Sequence, residues 1–593
     1  MKHLLLTVTL LTSLFASAQI VNIPDANFKN ALLNHIPVID TNGDGEIQVS
    51  EAMMTYEIDV TAKSIQDITG IEAFVNLQTL VCYFNQIDEV DLSNNILLQN
   101  LDLNSNRLTS IDLSHNLFLV DLSLTANELT SLDISLLTEL DHIECAYNEL
   151  TELDVTNNHE LTSIQCYENN ITELDISNQP GLRQLDIQNN LFTSIDLSQS
   201  PGLLWFNCSN NSIPNLDFST NPVLFDIKCS NNLLTSLDVS NNPNLGYLTC
   251  KENSISSLDV TNNPQIRYLI CDDNLLTSLD LSQNVNMELF NFTNNQITQI
   301  DVTQSVKLRQ FYGSNNHVSS VDFTNNPELN SVRCDNMNLS NLDLSQNPLI
   351  SFLILNDNNL SEIDVTNNPL IEQLYIRNNQ ISIIDLSQNP VLRVLGVNNN
   401  PLTSLDVAAN TNLQGIDFSN TNIYAMDLSN NPSLCAVEGN DIDWLHYVNI
   451  KNGNNIELIN ANCYNGELID SGLNLSNNPN LEFVCVDNVN FAISNFTNVS
   501  STATFIEDCL LAVNNFESLE VNLYPNPSDG ILNIQAESSI SSIEIMNVLG
   551  QLLLTSKGNS THEQMDISGL SAGNYFVRVV VGSESGVLRV VIK

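Results

Sequence analysis

The sequence predicts a β-rich solenoid that follows a short α-helical cap and precedes a small all-β sandwich. The first observation is a series of seventeen aspartates, each 21 residues after the last, from Asp91 to Asp427. The second is a strand-like alternation of apolar residues inside every such unit. The third is a change to short alternating runs, separated by Gly, Asn and Ser, after residue 520. A fixed period over many units indicates stacked coils that share one continuous core.

The composition limits the classes of partner. The chain of 593 residues carries a formal net charge of -51 and is 42% hydrophobic. That apolar content is sufficient for a continuous core. The charge argues against a nucleic-acid or anionic-membrane partner, because both require a basic surface. It suits a surface that repels its neighbours or one that gathers cations.

Residues 1–18 have the pattern of a secretory signal peptide. Lys2 supplies the positive charge, residues 4–15 form the apolar run, and Ala16-Ser17-Ala18 is a small-residue cleavage site. The run is too short to span a bilayer, and no later stretch of about 18 apolar residues is found in the sequence. We expect the mature chain to begin near Gln19 after Sec export to the periplasm.

Residues 19–58 are predicted to form an amino-terminal cap with one short helix. Asp25 favours the start of that helix. Phe28, Ala31 and Leu32 follow at helical spacing and form one apolar face.

Residues 40–51 match the twelve-residue calcium loop of the EF-hand type at every diagnostic position. The predicted oxygen ligands are Asp40, Asn42, Asp44, Glu46 through its backbone carbonyl, Gln48 directly or through water, and Glu51 with two oxygens. Gly45 allows the sharp turn of such a loop. The alternative is an ordinary polar turn, and the complete match favours calcium over it. A single loop with short flanking helices indicates a structural clamp and not a sensor.

One unit of the array, residues 238–258, reads DVSNNPNLGYLTCKENSISSL. It contains the spacing Leu245-x-x-Leu248-x-Cys250-x-x-Asn253-x-Ile255, which is the leucine-rich repeat pattern. Residues 59–509 therefore resemble leucine-rich repeats. Units of 21 residues with a cysteine in the strand are similar to those of the bacterial internalin type. The resemblance implies a curved solenoid whose concave parallel sheet binds another macromolecule.

The alternation assigns each position of a unit to a face. With the aspartate as position 1, positions 11 and 13 are expected in the core and positions 10, 12 and 14 on an open face. Asparagine fills position 16 in almost every unit from Asn85 to Asn400. Buried asparagines of this kind can bond the turning backbone of adjacent coils. Met337 and Thr421 interrupt the series, so we expect local laxity there.

The aspartates at position 1 lie in a second extended segment, on the side opposite the open face. Leu237 and Val239 are expected to point inward and Asp238 outward. Two roles are open to these carboxylates. They can accept hydrogen bonds from backbone N–H groups and flanking Ser or Thr hydroxyls, or they can form a cation-binding ladder. The Ser or Thr beside nearly every aspartate favours the first role.

Eight of the twelve cysteines fall at position 13, where other units have an apolar residue. These are Cys82, Cys145, Cys166, Cys208, Cys229, Cys250, Cys271 and Cys334. Parallel side chains on neighbouring coils approach poorly for a disulfide, so a ladder of buried thiols is predicted. Cys435, Cys463, Cys485 and Cys509 lie outside this series and are the disulfide candidates, with a Cys485–Cys509 bridge among the pairings left open.

The variable open-face positions hold the candidate ligand-binding residues. Aromatic residues and arginine are enriched in interface cores. The candidates are Trp205, Lys228, Tyr247, Lys251, Tyr268, Tyr312, Arg333, Phe352, Tyr375 and Arg377. Rings with nearby cations suit a protein, a carbohydrate or an acidic polymer, whereas scattered exposed aromatic residues are also ordinary.

The regular spacing fails after Asp427. Residues 473–486 resume it once, with Asn474 in the place of the aspartate, and the stretch up to Cys509 is interpreted as a carboxy-terminal cap. Residues 510–520 are the predicted linker to the last domain.

Residues 521–593 are predicted to form a small antiparallel sandwich. The predicted strand runs are 531–534, 543–548, 552–555, 566–570, 575–581 and 587–592. The segment closely resembles the type A carboxy-terminal sorting domain of the Bacteroidetes type IX secretion system. The resemblance rests on YPNP at 524–527, NVLG at 547–550, LSAGNYF at 570–576 and the terminal Lys593. It implies passage across the outer membrane of a Gram-negative cell, followed by attachment to the surface or release.

The sequence favours a non-enzymatic recognition or adhesion protein. Its eight histidines are scattered, and it contains no HExxH, nucleophile-elbow or phosphate-loop motif. The expected partners are a protein or carbohydrate on the concave face and the type IX secretion machinery, which would contact residues 521–593. The alternative function is a passive surface coat or spacer without a specific ligand.

Overall fold

The structure is a computed structural model that describes residues 19–459, 472–509, 521–528, 530–547, 552–571, 573–582 and 584–592. The predicted signal peptide and the predicted linker 510–520 lie outside the described residues. The chain divides into two compact units, residues 1–296 and residues 297–593. No helix in the described part of the chain is long and apolar enough to cross a membrane.

The first unit begins with the predicted helical cap. Its helices are α1 (Ala26–Leu33), α2 (Val49–Ala52) and a 3-10 helix (Ile71–Ala73). The side chain of Asp25 accepts hydrogen bonds from the backbone N–H groups of Asn27 and Phe28, which satisfies donors that the start of a helix leaves free. The predicted apolar face is buried, as expected: Phe28, Ala31 and Leu32.

A parallel sheet runs through the first unit with one strand per coil. Its strands are β1 (Glu57–Asp59), β2 (Thr79–Val81), β3 (Asn100–Asp102), β4 (Asp121–Ser123), β5 (His142–Glu144), β6 (Ser163–Gln165), β7 (Gln184–Asp186), β8 (Trp205–Asn207), β9 (Asp226–Lys228), β11 (Tyr247–Thr249), β13 (Tyr268–Ile270) and β14 (Leu289–Asn291). Neighbouring strands pair residue for residue, as Leu248 does with Leu269. On the aspartate side, β10 (Leu237–Asp238) pairs in parallel with β12 (Leu258–Asp259).

The core lies between these two sides of each coil. Leu248 and Cys250 at positions 11 and 13 are fully buried, and so is Val239 from the aspartate side. Asp238 is exposed beside the buried Leu237, as the alternation predicts. The solenoid fold predicted from the 21-residue period is therefore confirmed.

The predicted asparagine ladder makes the expected backbone bonds. Asn274 accepts a hydrogen bond from the N–H of Ile255 at 2.9 Å and donates to the carbonyls of Cys250 and Cys271 at 3.0 and 3.2 Å. The residue before each ladder asparagine in the first unit has a left-handed backbone, with φ between +49° and +58°. Asparagine and aspartate tolerate this conformation better than other side chains, and they occupy that position in many coils.

A second asparagine ladder at position 5 is not among the sequence predictions. Asn263, for example, is fully buried and donates to the carbonyls of Val239 and Asn242 at 2.8 and 2.9 Å. The signal was visible as the second Asn of the recurring SNNP and TNNP runs. These runs resemble ordinary exposed turns, so their burial is evident only when the coils are stacked.

The solenoid part of the second unit repeats this architecture. Its open-face strands are β15 (Gln310–Tyr312), β16 (Ser331–Arg333), β17 (Phe352–Ile354), β18 (Gln373–Tyr375), β19 (Val394–Gly396), β20 (Gly415–Asp417), β22 (Ala436–Glu438) and β24 (Gly472–Asn474). The aspartate side carries a parallel sheet of β21 (Ala425–Asp427), β23 (Tyr447–Asn449), β25 (Phe483–Cys485) and β26 (Thr504–Ile506). A 3-10 helix (Asn455–Ile459) and helix α3 (Val489–Asn495) complete the cap.

The predicted alignment of Asn474 with the aspartates is wrong. Asn474 pairs with Glu438 and therefore lies at position 12, in an open-face strand. Cys485 takes the aspartate position instead, because it pairs with Asn449, which pairs with Asp427. The two extended segments of a coil have similar apolar alternation. After an insertion, the sequence pattern alone does not distinguish them, so an open-face strand was aligned with the aspartate side.

The two interruptions of the position-16 ladder are bridged by neighbouring groups. Asn358 accepts hydrogen bonds from the N–H groups of both Met337 and Leu339, at 3.1 and 2.9 Å. The hydroxyl of Thr421 donates to the carbonyl of Phe418 at 2.8 Å. Local laxity at these coils stays a prediction.

The cysteines divide as predicted. All eight cysteines at position 13 are free and buried. Cys485 and Cys509 form a disulfide that ties β25 to the end of the cap. Cys435 is also disulfide-bonded, and Cys463 lies outside the described residues.

The last domain is an antiparallel two-sheet structure, which confirms the predicted all-β fold. One sheet contains β27 (Val521–Tyr524), β28 (Ile531–Ala536) and β31 (His562–Asp566), and the other contains β29 (Ile540–Asn547), β30 (Leu552–Lys557), β32 (Gly573–Val581) and β33 (Glu584–Ile592). Leu532, Ile545 and Val577 are among its fully buried core residues.

The predicted strand run 566–570 is wrong. The strand ends at Asp566, whose carboxylate accepts hydrogen bonds from the N–H and the hydroxyl of Ser568 and so begins a turn. Residues 548–551, which include most of the predicted NVLG turn, lie outside the described residues.

Candidate functional site

Trp205 is the centre of a polar and aromatic cluster on the open face of the first unit. Its indole N–H donates to the carboxylate of Asp226 at 2.9 Å. The Nζ of Lys228 lies 5.2 Å from the centre of the indole ring and 3.8 Å from the same carboxylate. The structure therefore brings two of the predicted residues together and adds Asp226, which sequence reasoning missed.

Three rings continue the cluster along the next coils. Phe225 meets Tyr247 edge to face at 5.3 Å between ring centres, and Tyr247 meets Tyr268 in the same way at 5.0 Å. The guanidinium of Arg267 lies 5.9 Å from the Tyr247 ring and donates to its hydroxyl at 3.2 Å. We name Leu204, Trp205, Phe225, Tyr247 and Tyr268 the aromatic surface.

Phe225 and Arg267 are members of this site that the sequence did not identify. Both occupy position 9, just before the strand, where the alternation assigns no face. The sequence feature that could have revealed them is Gly246, which occupies position 9 of the coil between those of Phe225 and Arg267. A side chain there would clash, because an added Cβ would lie 2.7 Å from the Phe225 ring.

Part of the aromatic surface is open to solvent. Leu204 is 39% exposed, Phe225 44% and Tyr268 37%, whereas Trp205 and Tyr247 are half-buried. Single exposed apolar residues are common, but a contiguous group is typical of an interaction site. Trp205, Tyr247 and Tyr268 begin strands whose middle residues are packed in the core, and Leu204 and Phe225 directly precede such strands, so the coils beneath them fix their positions.

The carboxylates beside this surface are partly desolvated. Burial raises the pKa of Asp186 to about 6, against hydrogen bonds from Gln188 and Asn207 that lower it. Burial also raises the pKa of Asp226, and the charge of Lys228 lowers it. Asp272 has its pKa raised by burial as well. In each of these three groups, the cost of burying the charge exceeds the stabilisation from neighbouring hydrogen bonds and charges.

The predicted cations of the open face are paired with carboxylates of the same chain. In the first unit, Lys228 pairs with Asp226 at 3.8 Å and Lys251 with Glu252 at 3.0 Å. Arg267, which was not predicted, pairs with Glu288 at 2.8 Å. This surface is therefore not a basic patch of the kind that binds an acidic polymer.

The predicted residues of the second unit have a different environment. Tyr312 donates its hydroxyl to Ser331 at 3.2 Å, and Arg333 pairs with Asp335 at 3.1 Å. Tyr375 is only 2% exposed and lies under the guanidinium of Arg377, 5.4 Å from the ring centre.

Other open-face residues of this unit form an apolar cluster with Tyr375. Ile354, Val394 and Ala436 belong to this cluster and are buried although their strands present them outward, and the half-buried Phe352 packs against the cluster. Arg377 pairs with the buried Asp417 at 3.6 Å. These side chains have little exposure to solvent, whereas part of the aromatic surface of the first unit is exposed.

The aspartates at position 1 are bound to their own coils. In every one, Oδ1 accepts a hydrogen bond from the N–H two residues later, at 2.9–3.0 Å. At Asp133, hydrogen bonds from the hydroxyl and the N–H of Ser135 lower the pKa of the carboxyl group. The predicted hydrogen-bonding role is therefore confirmed, and these groups are architectural.

The side chains of the predicted calcium loop converge within the first unit. Asn42 donates to Asp44 at 3.1 Å and to Gln48 at 2.7 Å, and Gln48 donates to both oxygens of Asp44 at 3.0 and 2.9 Å. Gly45 has a left-handed backbone, φ +83°, at the sixth loop position, where such loops need glycine. Backbone N–H groups of Gly43 and Gly45 bond to the two oxygens of Asp40.

Two carboxylates complete the loop in different ways. Glu51 is buried and accepts hydrogen bonds from the N–H groups of Thr41 and Asn42, so it holds the end of the loop against its beginning. Glu46 directs its side chain to Lys29 at 2.6 Å, and its backbone carbonyl accepts a hydrogen bond from the side-chain amide of Gln48 at 3.4 Å. The oxygen-rich donor set fits a hard divalent cation. Within the described residues, no three His, Cys, Asp or Glu side chains are gathered as a metal site.

The buried thiols at position 13 have the properties of unreactive groups. Burial raises the pKa of Cys145 and of Cys250 to about 12 in both cases. The thiolate is the reactive form, so at neutral pH these groups act as core residues.

A cavity of about 500 Å³ in the second unit offers little chemistry. Its lining includes Ile383, Tyr424, Met546 and the ion pair of Glu544 with Arg578, 3.4 Å apart. The described lining contains serine and threonine hydroxyls but no histidine or cysteine that could activate them.

Comparison with solved structures identifies the fold. A leucine-rich repeat protein of Leptospira interrogans is 21% identical with a TM-score of 0.52, over 62% of this chain and 97% of that one. YopM from Yersinia enterocolitica is 22% identical with a TM-score of 0.53, over 67% of this chain and 89% of that one. The functional domain of InlJ from Listeria monocytogenes, described as including a cysteine ladder, is 23% identical with a TM-score of 0.46, over 97% of this chain and 98% of that one. None of the curated proteins compared matches this chain.

The carboxy-terminal segment has a family match of its own. Residues 522–593 match the model described as a secretion system C-terminal sorting domain. The chain therefore has the leucine-rich repeat fold, and its carboxy-terminal segment is a type IX sorting domain. The sorting domain of this leucine-rich repeat protein implies secretion to the outer surface.

Proposed function

We propose that this leucine-rich repeat protein recognises another macromolecule at the cell exterior through its aromatic surface. The observation that carries the proposal is a group of rings in consecutive coils next to Trp205, in which the half-buried Tyr247 lies between the exposed Phe225 and Tyr268. Tyrosine, tryptophan and arginine contribute most often to binding energy in interfaces. Their fixed positions on packed strands reduce the ordering cost of association.

The broad surface favours a macromolecular partner over a small molecule. Small ligands bind in concave pockets that cover most of their surface, whereas the aromatic surface extends over successive strands of a sheet. A protein or a carbohydrate chain can contact several coils at once. We infer a non-enzymatic role, because leucine-rich repeat solenoids serve as binding scaffolds and the motifs needed for catalysis are missing from the sequence.

The test is a screen of the mature chain on protein and glycan arrays. A specific ligand should lose about tenfold or more in affinity with Trp205→Ala/Tyr268→Ala. The matched control is Leu117→Ala/Phe118→Ala, which removes two exposed apolar side chains elsewhere in the first unit. Equal affinity of both variants for a ligand would refute the aromatic surface as the binding site, and the absence of any ligand would favour the passive surface coat.

We also propose that the loop of residues 40–51 binds calcium as a structural clamp. Support comes from the convergence of Asn42, Asp44 and Gln48 and from Glu51, which joins the two ends of the loop. Bound calcium would supply positive charge to this acidic loop and fix the cap on the first coil. Carbonyl oxygens of the two amides are available as ligands after rotation of the amide groups.

A further inference from the structure

The aromatic surface continues as an apolar row over five coils. In the sheet, Asp226 lies between Trp205 and Tyr247. Tyr268 follows Tyr247, and the half-buried Leu289 follows Tyr268. Four steps of about 4.8 Å between coils make this row about 19 Å long. Such a length suits the apolar core of a protein interface.

The polar groups beside Trp205 are bonded within the chain. Its indole N–H and the Nζ of Lys228 meet the same carboxylate oxygen of Asp226, at 2.9 and 3.8 Å. The second oxygen of Asp226 is buried. On the coil before, Asp186 is 5% exposed and accepts hydrogen bonds from neutral groups. These carboxylates are therefore closed to a cation of a partner. Arg183, on the coil of Asp186, is exposed at the end of the surface.

Two more cations are paired at the edges of the surface. Lys251 pairs with Glu252 at 3.0 Å. Arg267 approaches Glu288 with two nitrogens, at 2.9 and 2.8 Å, and donates to the hydroxyl of Tyr247. An apolar centre with charged groups at its edge is the arrangement of a protein interface, in which the core is depleted of charge and the rim is polar.

We propose that the partner of the aromatic surface is a protein that contributes an uncharged, apolar patch. Its aliphatic or aromatic side chains would pack on the exposed parts of Leu204, Phe225 and Tyr268, inside the rim of ion pairs. Removal of this apolar area from water drives the association. The inference rests on the proposed recognition function and specifies the chemistry of its partner.

A carbohydrate chain fits this surface less well. Its hydroxyls need hydrogen-bond partners, whereas the polar groups beside the rings already bond to one another. Neighbouring rings are also nearly perpendicular, with angles of 76° between Phe225 and Tyr247 and 79° between Tyr247 and Tyr268. They therefore do not form a flat platform on which successive sugar rings could stack.

A charged partner and a second copy of this chain also fit less well. A charged side chain would lose its water on the apolar centre without gaining a free counter-charge there. Two copies of the chain would each carry a net charge of -51 and repel each other. An uncharged patch on another protein avoids both costs.

The probes are peptides selected from a random phage-displayed library on the immobilised mature chain. The selected sequences are synthesised, and their binding is measured by fluorescence anisotropy in about 0.1 M and 1 M salt, where the Debye lengths are ~10 and ~3 Å. The ring variant is Phe225→Ser/Tyr268→Ser. Its matched control, Leu117→Ser/Phe118→Ser, removes two exposed apolar side chains elsewhere in the first unit.

Two further variants separate apolar contact from other effects. The rim variant, Lys251→Gln/Glu252→Gln, removes an ion pair without changing the net charge. Leu204→Ser removes a third exposed apolar side chain and keeps both rings, so a loss of binding in this variant does not depend on the folding of the ring variant.

The proposal predicts selected peptides that are rich in leucine, isoleucine, phenylalanine and tryptophan and poor in charged residues. Their affinity should fall about tenfold or more in the ring variant and about threefold or more with Leu204→Ser. It should change less than about twofold in the control, in the rim variant and at high salt, because no charge of the partner takes part.

Selection of charged peptides, an affinity about tenfold weaker at high salt, or equal affinity of the ring variant and the control would overturn the proposal. So would a dimer of the mature chain that the ring variant dissociates, because it assigns the surface to a second copy. If no peptide is selected but a glycan from the array requires Trp205 and Tyr268, the protein partner is refuted and the recognition function stands. If neither ligand is found, both fail.

Discussion

At the residue scale, Asp186 is a carboxylate whose position opposes stability at neutral pH. Burial raises its pKa in the folded state to about 6, above the value of an unfolded aspartate. The stability linked to its protonation is therefore fully present below pH ~4 and is lost as the pH rises through about 6.

Asp186→Asn should therefore stabilise the protein at neutral pH. We expect the free energy of unfolding to increase by about 1–3 kcal/mol at pH 7.5, with the gain disappearing near pH 4. The measurement is urea denaturation at both pH values. Asp133→Asn is the control, because hydrogen bonds from Ser135 lower the pKa of Asp133. A gain for Asp186→Asn that is equal at both pH values would contradict the assignment.

The hydrogen bonds of the aspartates at position 1 were predicted from the sequence, but the burial of Asp186 was not. All the carboxylates at position 1 except Asp406 have Ser or Thr two residues later, so their local bonds could be inferred from adjacent residues. The burial of Asp186 depends on side chains from neighbouring coils, such as Asn207, 3.5 Å away. The 21-residue period predicts which residues of adjacent coils are neighbours. Whether those neighbours bury a given open-face side chain can be determined only from the packed structure.

At the element scale, most coils are closed by two asparagines, at positions 5 and 16. Asn274 satisfies one N–H group and donates to the carbonyls of Cys250 and Cys271 in the core. Asn274→Ala should lower the free energy of unfolding by about 1–3 kcal/mol, because buried backbone groups lose their partners. Chemical denaturation measures this loss. Asn262→Ala, an exposed residue of the adjacent turn, should change stability by less than ~0.5 kcal/mol.

The calcium loop is the element through which a cation would stabilise the cap. Adding calcium should raise the melting temperature of the mature chain, and EDTA should reverse the effect. The expected stabilisation of a two-state cap is about 2.7 kcal/mol at ~100 Kd of calcium. Asp44→Ala should abolish the response, whereas Asp67→Ala, outside the loop, should retain it. A wild-type chain that binds no calcium by isothermal titration would refute the clamp.

The accuracy of the predicted elements follows their periodicity. Strands of the regular array were predicted because an unbroken period fixes the direction in which each strand residue points. The alignment of Asn474 failed because the insertion after β23 removed that constraint. In the sorting domain, the prediction of a strand at 566–570 failed because hydrogen bonds from Ser568 to the Asp566 carboxylate end the strand. Such side-chain bonds compete with strand pairing, and the alternation of apolar residues does not reveal them.

At the scale of the whole molecule, the chain separates export from recognition. Deletion of residues 521–593 should leave the protein in the periplasm, because the sorting domain is the part that the secretion system reads. The measurement is protease accessibility on intact cells. Full-length Trp205→Ala is the control and should still reach the surface. Surface exposure of the truncated chain would contradict this division.

The recognition function has a built-in reporter, since the chain contains only two tryptophans. Trp444→Phe leaves Trp205 as the single indole, at the centre of the aromatic surface and bonded to Asp226. The decisive measurement is the fluorescence of this variant during titration with a ligand from the array screen. Binding through the aromatic surface predicts a saturable shift of Trp205 emission with the same Kd as the direct assay. Unchanged emission at saturating ligand would contradict recognition at this surface.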